Sequence, residues 1–400
     1  MKRILIVSHA LELGGAERSL IGLLDSLDTD KYDIDLFLLR HEGELLMQIP
    51  DGINLLPSIP AYTVLARPMK DTLREGHVLL TAARLYAKQK AKSYCKKRNI
   101  PSGDVELEYS HKYTYKIMPK IQPGIKYDLA ISFLTPHYIV ANKVCAKTKI
   151  AWIHTDYTHI YIDERSEMAM WSAYDHIISI SPTVSKSFIE VFPSLASKIM
   201  LVENILPEKL IRKQAAEFNV NEEMSGEESV AILSIGRYCT AKNFDNIPDI
   251  CSRILSKGLP VRWYIIGFGG DEALIQRKIK EAKMDDFVIL LGKKENPYPY
   301  ILNCDLYVQP SRFEGKCVTV REAQMLGKPV VITNYATSAS QLEDGVDGVI
   351  VPMDNDGCAA GIAALINDPA RMDCLRENCK TRDYSNYQEV QKVCRLLGNE

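Results

Sequence analysis

The chain has 400 residues, 46% hydrophobic and 25% charged, with 49 Lys plus Arg against 51 Asp plus Glu. That length predicts two or three domains with a sizeable core, and ordinary Gly and Pro counts, 22 and 19, exclude collagen-like and largely disordered classes. A formal charge of -2 excludes the overall basic footprint of a protein whose main task is gripping nucleic acid.

Short, continuous apolar runs recur from the N-terminus onward: Ile4 to Val7, Ile34 to Leu39, Leu129 to Phe133, Ile150 to Ile153, Ile177 to Ile180 and Ile199 to Val202. Their length and lack of alternation predict parallel strands covered on both faces. Segments of helical spacing lie between them, as where Leu20, Leu23, Leu24 and Leu27 form one stripe within Ala16 to Leu27. From Leu65 to Arg98 ten Lys or Arg stand against Asp71 and Glu75, a formal +8, and Leu79, Ala82, Ala83 and Tyr86 can share a helix face. Such a segment suits a solvated helix or an anionic membrane surface.

The composition turns polar over 207–228, which reads as a linker or partly helical hinge. A second series of runs follows: Ala231 to Ile235, Val261 to Ile266, Phe287 to Leu291, Asp305 to Gln309, Pro329 to Ile332 and Gly348 to Val351. The expectation is an α/β chain of two Rossmann-like, doubly wound domains, 1–206 and 229–383, facing an interdomain cleft. A terminal helix is expected within 384–400.

Ten cysteines are scattered from Cys95 to Cys394 without a CxxC, and eight histidines form no HExxH, so no metal is expected. Free thiols suit a reducing cytosol. Ser8, His9, Glu12 and Glu17 cut the first apolar run short of a signal peptide, and no stretch approaches the roughly 18 apolar residues of a spanning helix. A cytoplasmic protein, at most peripheral to a membrane, is expected.

The most informative stretch is Pro310 to Thr333, PSRFEGKCVTVREAQMLGKPVVIT. Glu314 and Gly315 follow a strand, Glu322 lies seven intervening residues later, and Thr319 with Glu322 fits a capping box that starts a helix near Thr319 and ends it before Gly327. A helix N-terminus after a glycine loop favours a diphosphate, and the flanking carboxylates can accept from sugar hydroxyls. Gly236, Arg237 and Lys242 follow another strand and bring two cations to its end. Gly14 and Gly15 form the first strand-to-helix loop, and His154 follows the strand IAWI. Gly267-Phe268-Gly269-Gly270 misses the dinucleotide fingerprint because Glu272 replaces its last glycine. Asp33-Ile34-Asp35 and Asp354-Asn355-Asp356 resemble metal-binding DxD pairs but read as structural.

This constellation, with Asp305, Pro310-Ser311, Glu322-Ala323 and Gly327-x-Pro329-Val330-Val331, resembles the E-x7-E signature of retaining family 4 glycosyltransferases of GT-B fold, among them bacterial surface-polysaccharide enzymes. The resemblance spans nearly the whole chain. It implies an N-terminal acceptor domain, a C-terminal nucleotide-sugar domain, and a terminal helix crossing back to the first. It implies metal-free transfer, without other cofactor, of a sugar from a nucleotide-diphosphate donor, with UDP preferred. The acceptor would be a saccharide or lipid-linked saccharide.

By the same resemblance Arg237 and Lys242 neutralise the diphosphate, Glu314 contacts the donor sugar and Glu322 the ribose. The backbone of Gly315, Lys316, Cys317, Val318 and Thr319 approaches sugar and diphosphate, with Gly14, Gly15, Gly236 and Gly267 at the donor, and His154 near the reaction centre. Asn296-Pro297-Tyr298 lies where similar enzymes approach the base. Lys316, Cys317, Arg321 and Gln324 depart from the commoner pattern, which leaves the donor sugar open. A nucleotide-sugar epimerase of the same architecture and a non-catalytic binding module are the alternatives.

Overall fold

The computed structural model describes residues 1–65, 67–134, 136–224 and 229–398. Among these residues the strands form two parallel sheets. The first holds β1 (Lys2–Ser8), β2 (Tyr32–Leu38), β3 (Asn54–Leu55), β4 (Tyr127–Ser132), β5 (Ala146–Ile153), β6 (His176–Ser179) and β7 (Ile199–Leu201), in the order β3-β2-β1-β4-β5-β6-β7. The second holds β8 (Val230–Ile235), β9 (Val261–Ile266), β10 (Val288–Gly292), β11 (Leu306–Gln309), β12 (Val330–Thr333) and β13 (Val349–Val351), in the order β10-β9-β8-β11-β12-β13. Ile4, Leu5 and Ile6 of β1 and Leu306, Tyr307 and Val308 of β11 are wholly buried, as strands covered on both faces must be.

The strand order reverses between β1 and β4 in the first sheet and between β8 and β11 in the second. Loops leaving the carboxyl ends of such neighbours diverge and open a crevice. The second reversal places the loop that begins at Gly236 beside the one that begins at Pro310.

The chain divides into one unit of Met1–Ile205 with Tyr387–Glu400 and another of Leu206–Asn386. The end of the chain is a 3-10 turn, Tyr387–Glu389, and a helix, Val390–Arg395. It is tied to the first unit by Tyr387 Oη on Asp25 at 2.6 Å, Glu389 accepting from the Glu203 amide at 2.9 Å, and Lys392 Nζ on the Leu201 carbonyl at 3.1 Å.

The polar segment 207–228 differs from a bare linker. It contains the helix Glu208–Ala215, and Ile211, Ala215, Val220 and Met224 enter the core beside Tyr298, Tyr300 and Ile301. Four well-spaced apolar residues suffice to anchor it, although they make no continuous run; residues 225–228 of that segment lie outside the described residues.

The basic segment is helical, as its spacing predicts. Helix Val78–Arg98 pairs with helix Gly103–Thr114 through Ala87, Ala91, Cys95, Val105 and Tyr109. The face bearing Leu79 and Tyr86 points outward instead, with those residues 75% and 47% exposed. Small residues permit close helix approach, so the stripe of Ala87 and Ala91 packs while Leu79 and Tyr86 remain outside. Ala66, within the same basic segment, lies outside the described residues.

Candidate functional site in the second unit

The site is built where β8 and β11 diverge. After β8, Gly236 lets the Lys242 side chain pass directly over the backbone: a Cβ at 236 would lie 2.9 Å from Lys242 Cε. Gly267, after β9, packs still closer, since a Cβ there would meet the Gly236 carbonyl oxygen at 1.9 Å. The glycine loop after β9 therefore holds the β8 loop by close backbone contact.

Lys242 Nζ donates to Glu314 Oε1 at 2.5 Å, and Ser311 Oγ donates to the same oxygen at 2.6 Å. Gln309 Nε2 donates to Ser311 Oγ, and the Tyr307 hydroxyl links Gln309 to Thr319. A buried polar chain thus runs from β11 to the helix Val318–Met325 and fixes the Glu314 carboxylate. Burial opposes the Lys242 charge, but Cys317 and Glu314 outweigh it and hold the ammonium above the usual lysine range. Glu314 is the partner that matters at neutral pH, because burial and that carboxylate push the Cys317 thiol itself upward, against the pull of Lys242.

The helix begins at Val318, with Cys317 as its N-cap and no side-chain capping bond. The expected capping box is therefore absent: Thr319 is the second helical residue and bonds Tyr307, while Glu322 is wholly buried and accepts from the Tyr298 hydroxyl at 2.9 Å. Gln341 braces the loop, accepting from the Cys317 amide at 2.7 Å and donating to the Cys317 carbonyl at 3.1 Å. Lys316 Nζ donates to the Ser340 carbonyl at 2.5 Å, and Gly315 lies at the bend between Glu314 and Lys316. Arg237 is exposed at the start of the β8 loop and makes no hydrogen bond or ion pair with the described residues.

The structure thus joins Lys242, Glu314, Cys317 and Thr319, packs Gly236 and Gly267 beneath them, and holds Glu322 on Tyr298. Ser311 and Gln341 join them from outside the expected set. The Pro310-Ser311 pair was a visible signal for the first; the second stands 24 residues from its partner, without a local motif.

The remaining expected residues lie in the first unit. Gly14 is the N-cap of helix Gly15–Ser26, and a Cβ there would lie 2.0 Å from a Glu17 carboxylate oxygen. His154 Nε2 lies 3.0 Å from the Phe133 carbonyl, which assigns the proton to Nε2 and leaves Nδ1 as an acceptor. Burial lowers its pKa to about 4, partly opposed by that carbonyl, so the ring is neutral at pH 7.

Both DxD pairs are structural: Asp33 pairs with Arg3, Asp35 accepts from Tyr127, Asp354 caps helix Asn355–Ile366, and Asp356 pairs with Arg253. Among the described residues no group of three or more His, Cys, Asp or Glu is placed to hold a metal ion.

Residues 216–383 match the family model described as Glycosyl transferases group 1. Along most of its length the chain is similar to the N-acetylgalactosamine-N,N'-diacetylbacillosaminyl-diphospho-undecaprenol 4-alpha-N-acetylgalactosaminyltransferase of Campylobacter jejuni, 22% identical over 385 residues, covering 96% of this chain and 95% of that one. It is also similar to the UDP-Gal:alpha-D-GlcNAc-diphosphoundecaprenol alpha-1,3-galactosyltransferase of Escherichia coli, 24% identical over 172 residues, 42% of this chain and 44% of that one. The crystal structure of Anabaena Alr3699/HepE in complex with UDP-glucose shares the fold at a TM-score of 0.68, with 15% identity and 99% of each chain covered. The second unit therefore matches the group 1 glycosyl transferases over most of its length, and the chain is a glycosyltransferase of GT-B fold.

Proposed function

We propose that the chain transfers a hexose-type sugar from a UDP-sugar to a saccharide or lipid-linked saccharide acceptor, with retention of configuration and without a metal ion. The observation that carries this reading is the Lys242, Glu314 and Ser311 cluster at the strand-order reversal of a group 1 glycosyl transferase domain. A UDP donor is supported by the name of the E. coli relative and by the UDP-glucose held in the Anabaena structure. A lipid-diphosphate acceptor is supported by the names of the C. jejuni and E. coli relatives. Both names also specify alpha products, which agrees with retention from the alpha-linked donors that UDP-hexoses ordinarily are.

A donor diphosphate competes with Glu314 for the Lys242 ammonium. As Lys242 turns to the phosphates, Glu314 Oε1 becomes available to a sugar hydroxyl while Ser311 keeps the carboxylate in place. Arg237 adds a second cation, and both stabilise the charge that develops on the departing UDP. Glu322, held by Tyr298, accepts from the ribose.

The first unit meets the anionic membrane surface through helix Val78–Arg98, where exposed Leu79 and Tyr86 stand among lysines. No described helix is long and apolar enough to cross a membrane. Flotation with phosphatidylglycerol-containing vesicles tests the contact. Binding should weaken with salt and in Leu79→Glu/Tyr86→Glu; binding indifferent to both contradicts it.

Transfer is tested by incubating the purified chain with radiolabelled UDP-glucose, UDP-galactose and their N-acetylamino counterparts plus a bacterial lipid extract. Label should enter the organic phase and fail to do so with Glu314→Gln. Conversion of the donor to a different free UDP-sugar would instead mark an epimerase, and UDP binding without turnover a binding module.

A further inference from the structure

A cavity of about 240 Å³ lies inside the first unit, at the carboxyl ends of β4 and β5 and under helix Gly103–Thr114. This is far more than the about 15 Å³ that one water requires. Its wall is largely aromatic and aliphatic, with Trp152, Tyr157 and Trp171 among its residues, and carries a few convergent polar groups. Small-molecule sites have that composition. Among the described residues no Lys or Arg lines it.

Two polar atoms in this wall are buried and lack a partner among the described residues: Glu108 Oε2 and Trp152 Nε1. Their residues are only 9% and 3% exposed. The surrounding groups are committed elsewhere. Tyr138 and Ser166 both donate to the other Glu108 oxygen, and Tyr157 and Trp171 both donate to Glu167 Oε2. His137 Nδ1 is bonded to Ser132 at 2.8 Å. One acceptor and one donor are thus left unpaired on residues that line an aromatic space, although burying such atoms unpaired is costly.

We propose that this cavity is an acceptor subsite for one uncharged sugar ring, whose hydroxyl or acetamido groups bond Glu108 Oε2 and Trp152 Nε1 while its C–H faces pack on the aromatic wall. The assignment rests on the glycosyltransferase reading for its meaning, but the binding itself does not. An anionic sugar meets no counterion among the described residues, of which Asp104, Glu108 and Glu167 are the charged ones that line the space. Burial also raises the Glu108 pKa, against the pull of Ser166 and Tyr138, and pushes Glu167 to about 7, so the wall favours a neutral guest.

The test uses the full chain labelled with 15N and a panel of methyl glycosides of glucose, galactose, N-acetylglucosamine and N-acetylgalactosamine. At least one should shift the indole N–H resonance of Trp152 saturably, the resonance being identified by its loss in Trp152→Phe. Glu108→Gln and Trp152→Phe should each raise the acceptor KM about tenfold, equivalent to about 1.4 kcal/mol, while slow hydrolysis of the UDP-sugar without acceptor is unchanged. An unmoved indole resonance with every glycoside overturns the subsite, as does an unaltered acceptor KM in both variants. Absence of UDP-sugar hydrolysis and transfer with the indole shift retained would remove the glycosyltransferase reading and leave the sugar site standing.

Discussion

Replacing Lys242 by Met separates the electrostatics of the proposed donor site from its packing, because Met keeps most of the aliphatic stem. The Lys242 and Glu314 side chains are 17% and 12% exposed, so the substitution strands a mostly buried carboxylate whose remaining donor is Ser311. Breaking a buried pair from one side costs about 3–5 kcal/mol, and the retained Ser311 bond places this case near about 3 kcal/mol. At about 2–4 °C per kcal/mol for a unit of this size, Tm should fall by about 6–12 °C. Adding Glu314→Gln removes the stranded charge and should restore most of the loss, while both variants lose turnover by about 10²–10³.

Thermal melts at neutral pH read the full effect. The folded pKa of Lys242 is raised, so the pair's contribution is complete below the unfolded lysine value and disappears only as pH rises through the folded one. A single variant melting within about a degree of the parent, or a double variant no more stable than the single, would refute the reasoning about this pair.

Two further outcomes follow from the same geometry. Gly267→Ala should cost about 1–3 kcal/mol and weaken UDP binding, since its Cβ collides with the Gly236 carbonyl under Lys242; Gly270→Ala, with nothing within 4 Å, should be silent by melting and UDP titration. Glu167 has a folded pKa raised to about 7 by burial, so its stabilising contribution is present below its ordinary value of 4.5 and is lost as pH rises to about 7. Denaturant titrations should therefore show Glu167→Gln gaining on the parent by about 3 kcal/mol across that interval, and a pH-independent difference would contradict the assignment.

Twelve of the strands were legible because each is an apolar run closed by a polar or glycine-containing loop; β3, two residues long, carries no such signal. The candidate donor site was legible for a related reason. Glu314 and Lys242 lie in loops that follow strands, and Glu322 lies in the helix after the second of these loops, where residue type and position speak together. Pairing partners were less visible. Glu322 fits a capping box by spacing, yet Tyr298 claims its carboxylate from another element. Helix Val78–Arg98 turned Leu79 and Tyr86 outward because alanines gave the closer fit to helix Gly103–Thr114. Of the cavity around Glu108 and Trp152 only His154 was singled out, since the wall is assembled from residues 104–171 without any shared spacing.

Calorimetric titration of UDP and UDP-glucose, in the presence of EDTA, into the parent chain, Lys242→Met and Glu322→Ala most directly tests the claim that the loops after β8 and β11 form a metal-free nucleotide-sugar site. The account predicts saturable one-to-one binding of at least UDP by the parent and at least tenfold weaker binding by each variant, a loss of about 1.4 kcal/mol or more. Absence of binding without a divalent metal, or equal affinity in all three proteins, would contradict it.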